Sequence, residues 1–447
     1  MTIQNYGIVG SGGKQIAASV EAAIASGALG PGARLPPVRT LAAELGVSTA
    51  TAATAYRMLR DRGLLEGEGR GGTKVRAGRP RSLRRSAPAI ADGVRNLAGG
   101  NPDPALLPDL GPALASAAAR LEGGRSRLYG HGEGNPELVA HFARAFAEDG
   151  IATDRVLIVG GGLDGVARVL GAHLRPGDPV AVEDPCHCGL LDVLDVCDLR
   201  VVPVPVDDEG VLPDRLDIVA DRVRAVVLTP RLHSPTGATA SPERRDALAQ
   251  VLTARPGLLV VEDDHSALVA DASLHALAQG ADRPHWAVVR STSKALGPDL
   301  RLGALATDTL TARRVVHAQQ AASGWVSHLL QSVVLALFDD PDLTRLLGRA
   351  RDTYATRRRA LVDALAAHGV VATGASGLNA WVPVDDEATV AQSLLARGWA
   401  VRGGSAFRIE SPPGLRVTTA TLLAKEATRL AGDIAEALVE GRPDHAA

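Results

Sequence analysis

The sequence predicts an α/β protein with a small basic helical head, a linker, and a large body that has a mainly parallel central sheet and a smaller α+β part at its C-terminal end. Three observations predict this. From residue 155 to residue 307, short Val-rich runs alternate with helical stretches, and apolar runs without polar alternation mark strands buried on both faces. From residue 13 to residue 75, short helical patterns meet at a glycine and end in a Gly-rich alternating stretch. Between the two, residues 77–94 are basic, rich in Pro, Ser and Ala, and aperiodic, as linkers are. A chain of 447 residues has room for two or three domains. The expected boundaries are 1–76, 77–94 and 95–447.

The head is read first. "GKQIAASVEAAIASGALGPG" places Ile16, Val20 and Ile24 on one helical face and stops at Gly-Pro-Gly. A second helix runs from about Pro37 to Leu45 and breaks at Gly46. A third starts near Ser48, a good N-cap residue, with Tyr56 and Leu59 on its buried side. Helix, glycine turn, helix is the signature of a helix-turn-helix. "LLEGEGRGGTKV" then alternates around a Gly-rich tip and predicts a two-stranded wing ending near Val75. Arg34, Arg39, Arg57 and Arg60 fall on or near the helices, and Arg70 and Lys74 at the wing, where they suit phosphate contacts with duplex DNA. Ser48, Thr49 and Thr51 open the third helix, where short hydroxyl side chains reach base edges.

Charge supports this division. The first 85 residues carry thirteen Lys and Arg against five Asp and Glu, a net of +8, whereas the chain as a whole is −2. The remaining residues therefore carry −10, and a basic module on an acidic body suits a nucleic-acid reader joined to a sensing or catalytic domain. No run of about 18 uncharged apolar residues occurs, and the first 20 residues lack a secretion-signal pattern, so no membrane span is expected. Three cysteines without framework spacing suit a reducing cytoplasm. "CHC" at 186–188 has no second ligand cluster, so no metal is expected.

In the body the runs "RVLIVG", "DPVAVEDP", "RVVPVPV", "VRAVVLTP", "GLLVVEDD", "WAVVRSTS" and "LGALATD" are the expected strands. Ligands of such sheets sit beyond the carboxyl ends of the strands. Polar and glycine residues cluster there: Gly160 to Asp164, Glu183 to Cys188, Thr229 to Gly237, Glu262 to His265 and Ser291 to Lys294. Lys294 decides the chemistry. A lysine in a mostly apolar strand-end site can lose enough basicity to form a Schiff base. Pyridoxal phosphate (PLP) also needs a carboxylate at its ring nitrogen, a donor at its phenolic oxygen, and a phosphate cradle. Asp263 is the candidate carboxylate and His265 the donor. The helix start at Gly161, Gly162 and Leu163, with Ser291, Ser293 and Arg301, is the candidate cradle.

The motifs also carry a family resemblance. "GPGARLPPVRTLAAELGVS" and "AYRMLRDRGLL" at the front, then "LYGHGEGNPEL", "VAVEDPCH", "TPRLHSPTG", "VVEDDHS", "STSKALGPDLRLG" and "GLRVTTA" in order, resemble a MocR-type member of the GntR family of bacterial regulators. That family joins a winged helix-turn-helix to a fold-type I aminotransferase-like domain, and the resemblance spans nearly the whole chain. It implies that Lys294 binds PLP, that Tyr129 reaches the phosphate of the partner subunit in a homodimer, and that Arg416 grips a substrate carboxylate. It also implies His187 as the ring-stacking residue and Ser234 as a phenolate neighbour. The family usually has tyrosine where this chain has His265 and His187, and asparagine where it has Ser234. The histidines are expected to make the site more pH-sensitive than tyrosines would. The implied function is a cytoplasmic regulator that binds a double-stranded operator and senses an amino acid or amine through an external aldimine. The alternative is a PLP-dependent aminotransferase with an accessory DNA-binding head. For the regulator, any enzymatic activity is expected to be a slow transamination.

Overall fold

A computed structural model describes residues 6–30, 32–61, 64–67, 72–75, 84, 90–122, 128–129, 132, 134–153, 155–277 and 283–441. The chain divides into two compact units, residues 1–83 and 84–447.

The first unit has helices α1 (Gly13–Ala25), α2 (Val38–Leu45) and α3 (Thr49–Asp61), then strands β1 (Leu65–Glu66) and β2 (Lys74–Val75). Leu65 pairs with Val75 in an antiparallel ladder. Ile16, Val20, Leu41, Tyr56 and Leu59 meet in one buried core. The Tyr56 hydroxyl donates to the Pro36 carbonyl at 2.7 Å, so this ring is buried without an unmet polar group. Gly46 ends α2 in the left-handed region at φ 64°, which a residue with a Cβ adopts only at a cost. The wing tip falls outside the described residues.

The second unit begins with β3 (Arg95–Asn96), α4 (Leu110–Glu122) and α5 (Pro136–Glu148). The strand and helix alternation follows: β4 (Val156–Val159), α6 (Gly162–His173), β5 (Pro179–Asp184), α7 (Cys188–Val196), β6 (Arg200–Asp207) and β7 (Gly210–Val211). Next come α8 (Pro213–Ala220), β8 (Ala225–Leu228), α9 (Pro242–Thr253), β9 (Leu259–Asp264), β10 (Trp286–Ser291) and β11 (Gly303–Thr307). The rest is α10 (Thr309–Ala321), α11 (His328–Phe338), α12 (Pro341–Ala367), β12 (Asn379–Pro383), α13 (Glu387–Ala396), β13 (Trp399–Ala400), β14 (Arg402–Gly403), β15 (Gly414–Thr418) and α14 (Ala424–Glu440).

The central sheet has the order β4-β11-β10-β9-β8-β5-β6-β7. Strands β10, β9, β8, β5 and β6 run parallel. Strand β11 is antiparallel to both of its neighbours. The cause is the short connection from Thr292 to Leu302, which lacks the helical crossover a parallel return needs.

Apolar layers cover both faces. Leu259 and Val261 of β9, with Ala287 and Val289 of β10, pack with α6 and α7. Val260 and Val288 pack on the opposite side with residues of α5, α9 and α11. Because side chains alternate along a strand, Asp263 continues the α6 face and Asp264 the other.

On that other face, Asp264 Oδ1 accepts from Arg231 Nε at 2.8 Å, and Asp264 Oδ2 accepts from Arg290 Nε at 2.8 Å. Both arginines also pair with Asp149. Burial works against the Asp264 charge, but the two guanidiniums overcome it and hold its carboxyl below the usual range.

A smaller α+β part is present, as expected. Its sheet is β12-β15-β14, and Leu361, Val382, Val417 and Leu430 share a core. One strand of this part comes from far away in sequence: β3, just after the linker, pairs in parallel with β13. Asp184 at the end of β5 ties the two parts together. Its carboxylate accepts from the amides of Ile409, Glu410 and Ser411 and from the Ser411 hydroxyl, all within 2.8 Å.

The Asp264 network generates a stability test. Asp264→Ala leaves two buried arginines short of a counter-charge, which costs on the order of 3–5 kcal/mol. The urea midpoint of the body should fall accordingly; an unchanged midpoint would remove this network from the interactions that hold the fold.

Candidate functional site

The carboxyl ends of the parallel strands converge on a cavity of about 190 Å³, lined among others by His187, Ser234, His265, Lys294 and Arg416. Lys294 follows β10 in the connection to β11. Its Nζ donates to the Gly100 carbonyl at 2.6 Å. Burial, and then the charge of Arg416, lowers its pKa to about 8. Asp263 is 4% exposed at the end of β9. Burial, and then the charges of Asp264 and Glu183, raise it to about 7. Its Oδ1 has no hydrogen-bond partner among the described residues.

His265 is the neighbouring donor. Its Nδ1 lies 3.7 Å from Asp263 Oδ2, too far for a hydrogen bond, and is likewise unsatisfied. Burial, and then Lys294, lowers its pKa to about 4. This corrects the sequence expectation for His265. The ring is neutral throughout the physiological range, and the groups poised to titrate near neutrality are Asp263 and Lys294. The His187 and His265 rings are nearly parallel, with centroids 6.0 Å apart.

The glycine turn before α6 faces the same strand ends. Gly161 caps α6 at φ 109°, a value that excludes ordinary side chains. A Cβ on Gly162 would stand 3.5 Å from Asp263 Oδ1 and 3.4 Å from the Ser291 Cβ, so this backbone approaches the carboxylate closely. Leu163 follows in the first turn of α6. Arg301, in the left-handed region at φ 45°, donates from Nη2 to the Gly160 carbonyl at 3.1 Å. The Ser291 hydroxyl donates to Ser293 Oγ at 3.1 Å. Gly161, Gly162, Ser291 and Arg301 are thus gathered around one helix N-terminus.

Arg416 enters from β15. It is 6% exposed, its Nη2 donates to the Ala98 carbonyl, and its guanidinium lies over the Phe407 ring at 4.6 Å. Burial, and then the charge of Arg402, lowers its pKa to about 10, so it remains charged at neutral pH. Its Nε is buried without a hydrogen-bond partner among the described residues. Sequence reasoning missed Arg402 and Asn379 and gave Cys188 no role of its own; all three also line the cavity. The "GLRVTTA" motif pointed to Arg416, but no motif marked the residue across the sheet from it.

Tyr129 does not line this cavity. It is 93% exposed and packs edge-on against Trp325 at 5.6 Å. In the head, Arg34, Arg39 and Arg57 are exposed, while Arg60 and Lys74 are half-buried. Ser48 caps α3, accepting from the Thr51 amide at 3.0 Å, with its hydroxyl 2.8 Å from that of Thr51. Thr49, the first residue of α3, is exposed. Arg70 lies outside the described residues.

Comparison with known proteins agrees with this geometry. Residues 93–434 match the family of aminotransferases class I and II, and residues 13–75 match the bacterial regulatory proteins of the gntR family. The chain is 39% identical over 434 residues to the vitamin B6 salvage pathway transcriptional repressor PtsJ of Salmonella typhimurium, covering 96% of this chain and 99% of that one. It is 27% identical to the probable rhizopine catabolism regulatory protein MocR of Rhizobium meliloti, over 86% of this chain and 81% of that one. The chain belongs to the MocR-type group of GntR regulators. Among solved structures, the body of this MocR-type regulator is similar to LysN, the α-aminoadipate aminotransferase of Thermus thermophilus, complexed with N-(5'-phosphopyridoxyl)-L-leucine. The TM-score is 0.70 and the identity 27%, over 80% of this chain and 96% of that one. The aminotransferase family to which the body belongs is PLP-dependent.

Lys294 is one of only four lysines in this MocR-type chain, which makes its amine directly measurable. Competitive acetylation of the cofactor-free protein, followed by mass spectrometry across pH, should give Lys294 a midpoint near 8. A midpoint above 10 would show that the cavity does not activate this amine.

Proposed function

We propose that this transcriptional regulator holds pyridoxal 5'-phosphate on Lys294 and reports an amino acid or amine in the same cavity through its binding to operator DNA. One observation carries the reading: an activated lysine shares a cavity wall with His265 and Arg416, Asp263 stands just behind His265, and Asp263 Oδ1, His265 Nδ1 and Arg416 Nε are buried without a hydrogen-bond partner among the described residues. Buried polar groups are ordinarily satisfied, and PLP together with an amino acid presents the matching set. When bound, the cofactor supplies an aldehyde for the lysine and an electron-withdrawing ring.

In this reading Asp263 faces the ring nitrogen, whose positive charge draws the carboxyl back to its ionised form. His265 offers a neutral imidazole to the phenolic oxygen, Ser234 stands beside it, and His187 offers a ring face. The backbone at Gly161, Gly162 and Leu163 receives the phosphate at the start of α6, with Ser291, Ser293 and Arg301. Arg416 receives the ligand carboxylate. The exposed Tyr129 suits a homodimer in which it completes the partner's phosphate site. Residues 1–76 act as the head, with Arg34, Arg39, Arg57, Arg60, Arg70 and Lys74 on phosphates and Ser48, Thr49 and Thr51 toward bases. Residues 77–94 are then the linker and 95–447 the body. No described helix is long and apolar enough to cross a membrane, and a regulator of this kind works where its operator is, in the cytoplasm.

A second reading makes the cofactor itself the signal. The Salmonella relative, similar over nearly its whole length, is named for vitamin B6 salvage. Titrating operator affinity with PLP alone, then with amino acids on the loaded protein, separates the two readings. Steady keto-acid production with operator affinity indifferent to every ligand would instead make the body an aminotransferase.

Two outcomes test the main reading. Lys294→Ala should abolish the near-visible band of the bound cofactor and its fixation by borohydride. In the unaltered protein, cofactor capture should accelerate from pH 6 to 8.5, because rising pH both frees the Lys294 amine and ionises Asp263. An unchanged spectrum in the variant would place the cofactor elsewhere. For the head, Arg39→Ala and Arg57→Ala should weaken binding to all duplexes alike and reduce the salt slope by about 1 each. A loss confined to one sequence would make these residues base readers instead.

A further inference from the structure

A second arginine reaches the cavity. Arg402 on β14 lies directly across the ladder from Arg416 on β15, and like charges placed opposite each other in a sheet repel. Both line the cavity with Lys294, and no Asp or Glu lines it among the described residues. A field of this kind favours a ligand with more than one negative group.

Arg402 also has a structural contact outside the cavity. Its Nη2 donates to the carbonyl of Arg84, which belongs to the linker stretch. The Arg84 amide donates to Asp192 Oδ1 at 2.7 Å. Asp192 is on α7, the helix that begins at Cys188 on the cavity wall. Burial raises the Cys188 thiol, which also feels the charges of Arg416, Asp192 and Arg402. The ligand cavity and the linker attachment therefore form one electrostatic cluster, with Arg402 in both. A planar guanidinium with five N–H donors can exchange a neutral carbonyl for a carboxylate, a stronger acceptor.

We propose that Arg402 couples the cavity to the linker: it takes the second carboxylate of a dicarboxylic amino acid whose first carboxylate lies on Arg416, and in turning inward it releases the Arg84 carbonyl. This rests on the reading that the ligand is an amino acid held by Arg416. Arg84 then keeps its contacts with Asp192 and the Arg408 carbonyl but loses the bond from Arg402. A ligand shifts the linker only to the extent that it binds the released state more tightly.

The test uses the full-length protein in two arms. In the first, without cofactor or ligand, trypsin cleavage after Arg81, Arg84 and Arg85 is timed for the unaltered protein and for Arg402→Gln. The variant should be cut several-fold faster, with an unchanged circular dichroism spectrum. In the second, the PLP-loaded protein is titrated with aspartate, glutamate and 2-aminoadipate against asparagine, glutamine and norleucine, following the cofactor band and linker cleavage. At least one diacid should bind about tenfold or more tightly than its neutral counterpart and speed cleavage. Arg402→Gln should bring that ratio within about twofold while leaving the neutral amino acids unaffected. Equal cleavage of the two proteins in the first arm, or a diacid preference that survives in the variant, overturns the proposal. A missing cofactor band in the unaltered protein would instead overturn the PLP reading, while the first arm still decides whether Arg402 holds the linker.

Discussion

The end of strand β9 depends on the two-residue period of an extended chain. Successive side chains must leave opposite faces, so "EDD" at residues 262–264 cannot send its last two carboxylates the same way. Asp264 leaves toward Arg231 and Arg290, where hydrogen bonds and charge keep it ionised despite burial. Asp263 leaves toward α6, where it has no such partner and burial raises it to about 7. The ion network on one face fixes the strand end that presents the unpaired carboxylate on the other. Two chemically identical residues thus acquire opposite roles, one structural and one available to a ligand. Neighbouring β10 obeys the same rule, with Arg290 joining the network and Ser291 facing α6.

Much of this arrangement was legible in the sequence because it depends on local pattern. All seven predicted apolar runs are strands of the central sheet, and the helix-turn-helix follows from Gly46 and the Ser48 cap. Lys294, His265, His187 and Ser234 line one cavity because each follows a strand of the central sheet, and Asp263 lies beside His265; Arg416 joins them from the middle of β15 in the smaller sheet. What was not legible depends on partners distant in the chain. The antiparallel course of β11 follows from connection length, which apolarity does not report. Arg402 reaches the cavity only because β14 pairs with β15. The pH sensitivity expected of His265 is the part that changes, because burial lowers its pKa to about 4.

The cavity also shows how two neighbouring cations are held on backbone acceptors. Lys294 and Arg416 both lie below their ordinary pKa values, chiefly through burial, and both donate to backbone carbonyls of one segment, Gly100 and Ala98. Gly100, at φ 65°, leaves no Cβ where the Arg416 guanidinium lies. The "AGGNPD" stretch is therefore a neutral acceptor surface that keeps two cations in place.

The pairing of β3 with β13 has a consequence for the order in which the protein is made. Arg95 lies opposite Trp399, so a strand that leaves the ribosome early waits for a partner roughly 300 residues behind it, on the order of 15–60 s at ordinary elongation rates. The head has no such dependence: all the strands and helices of its core lie within the first 75 residues. During each round of synthesis a folded helix-turn-helix is therefore tethered to a body whose C-terminal part is still unfinished, and the segment between them reaches its final anchorage only when translation is nearly complete.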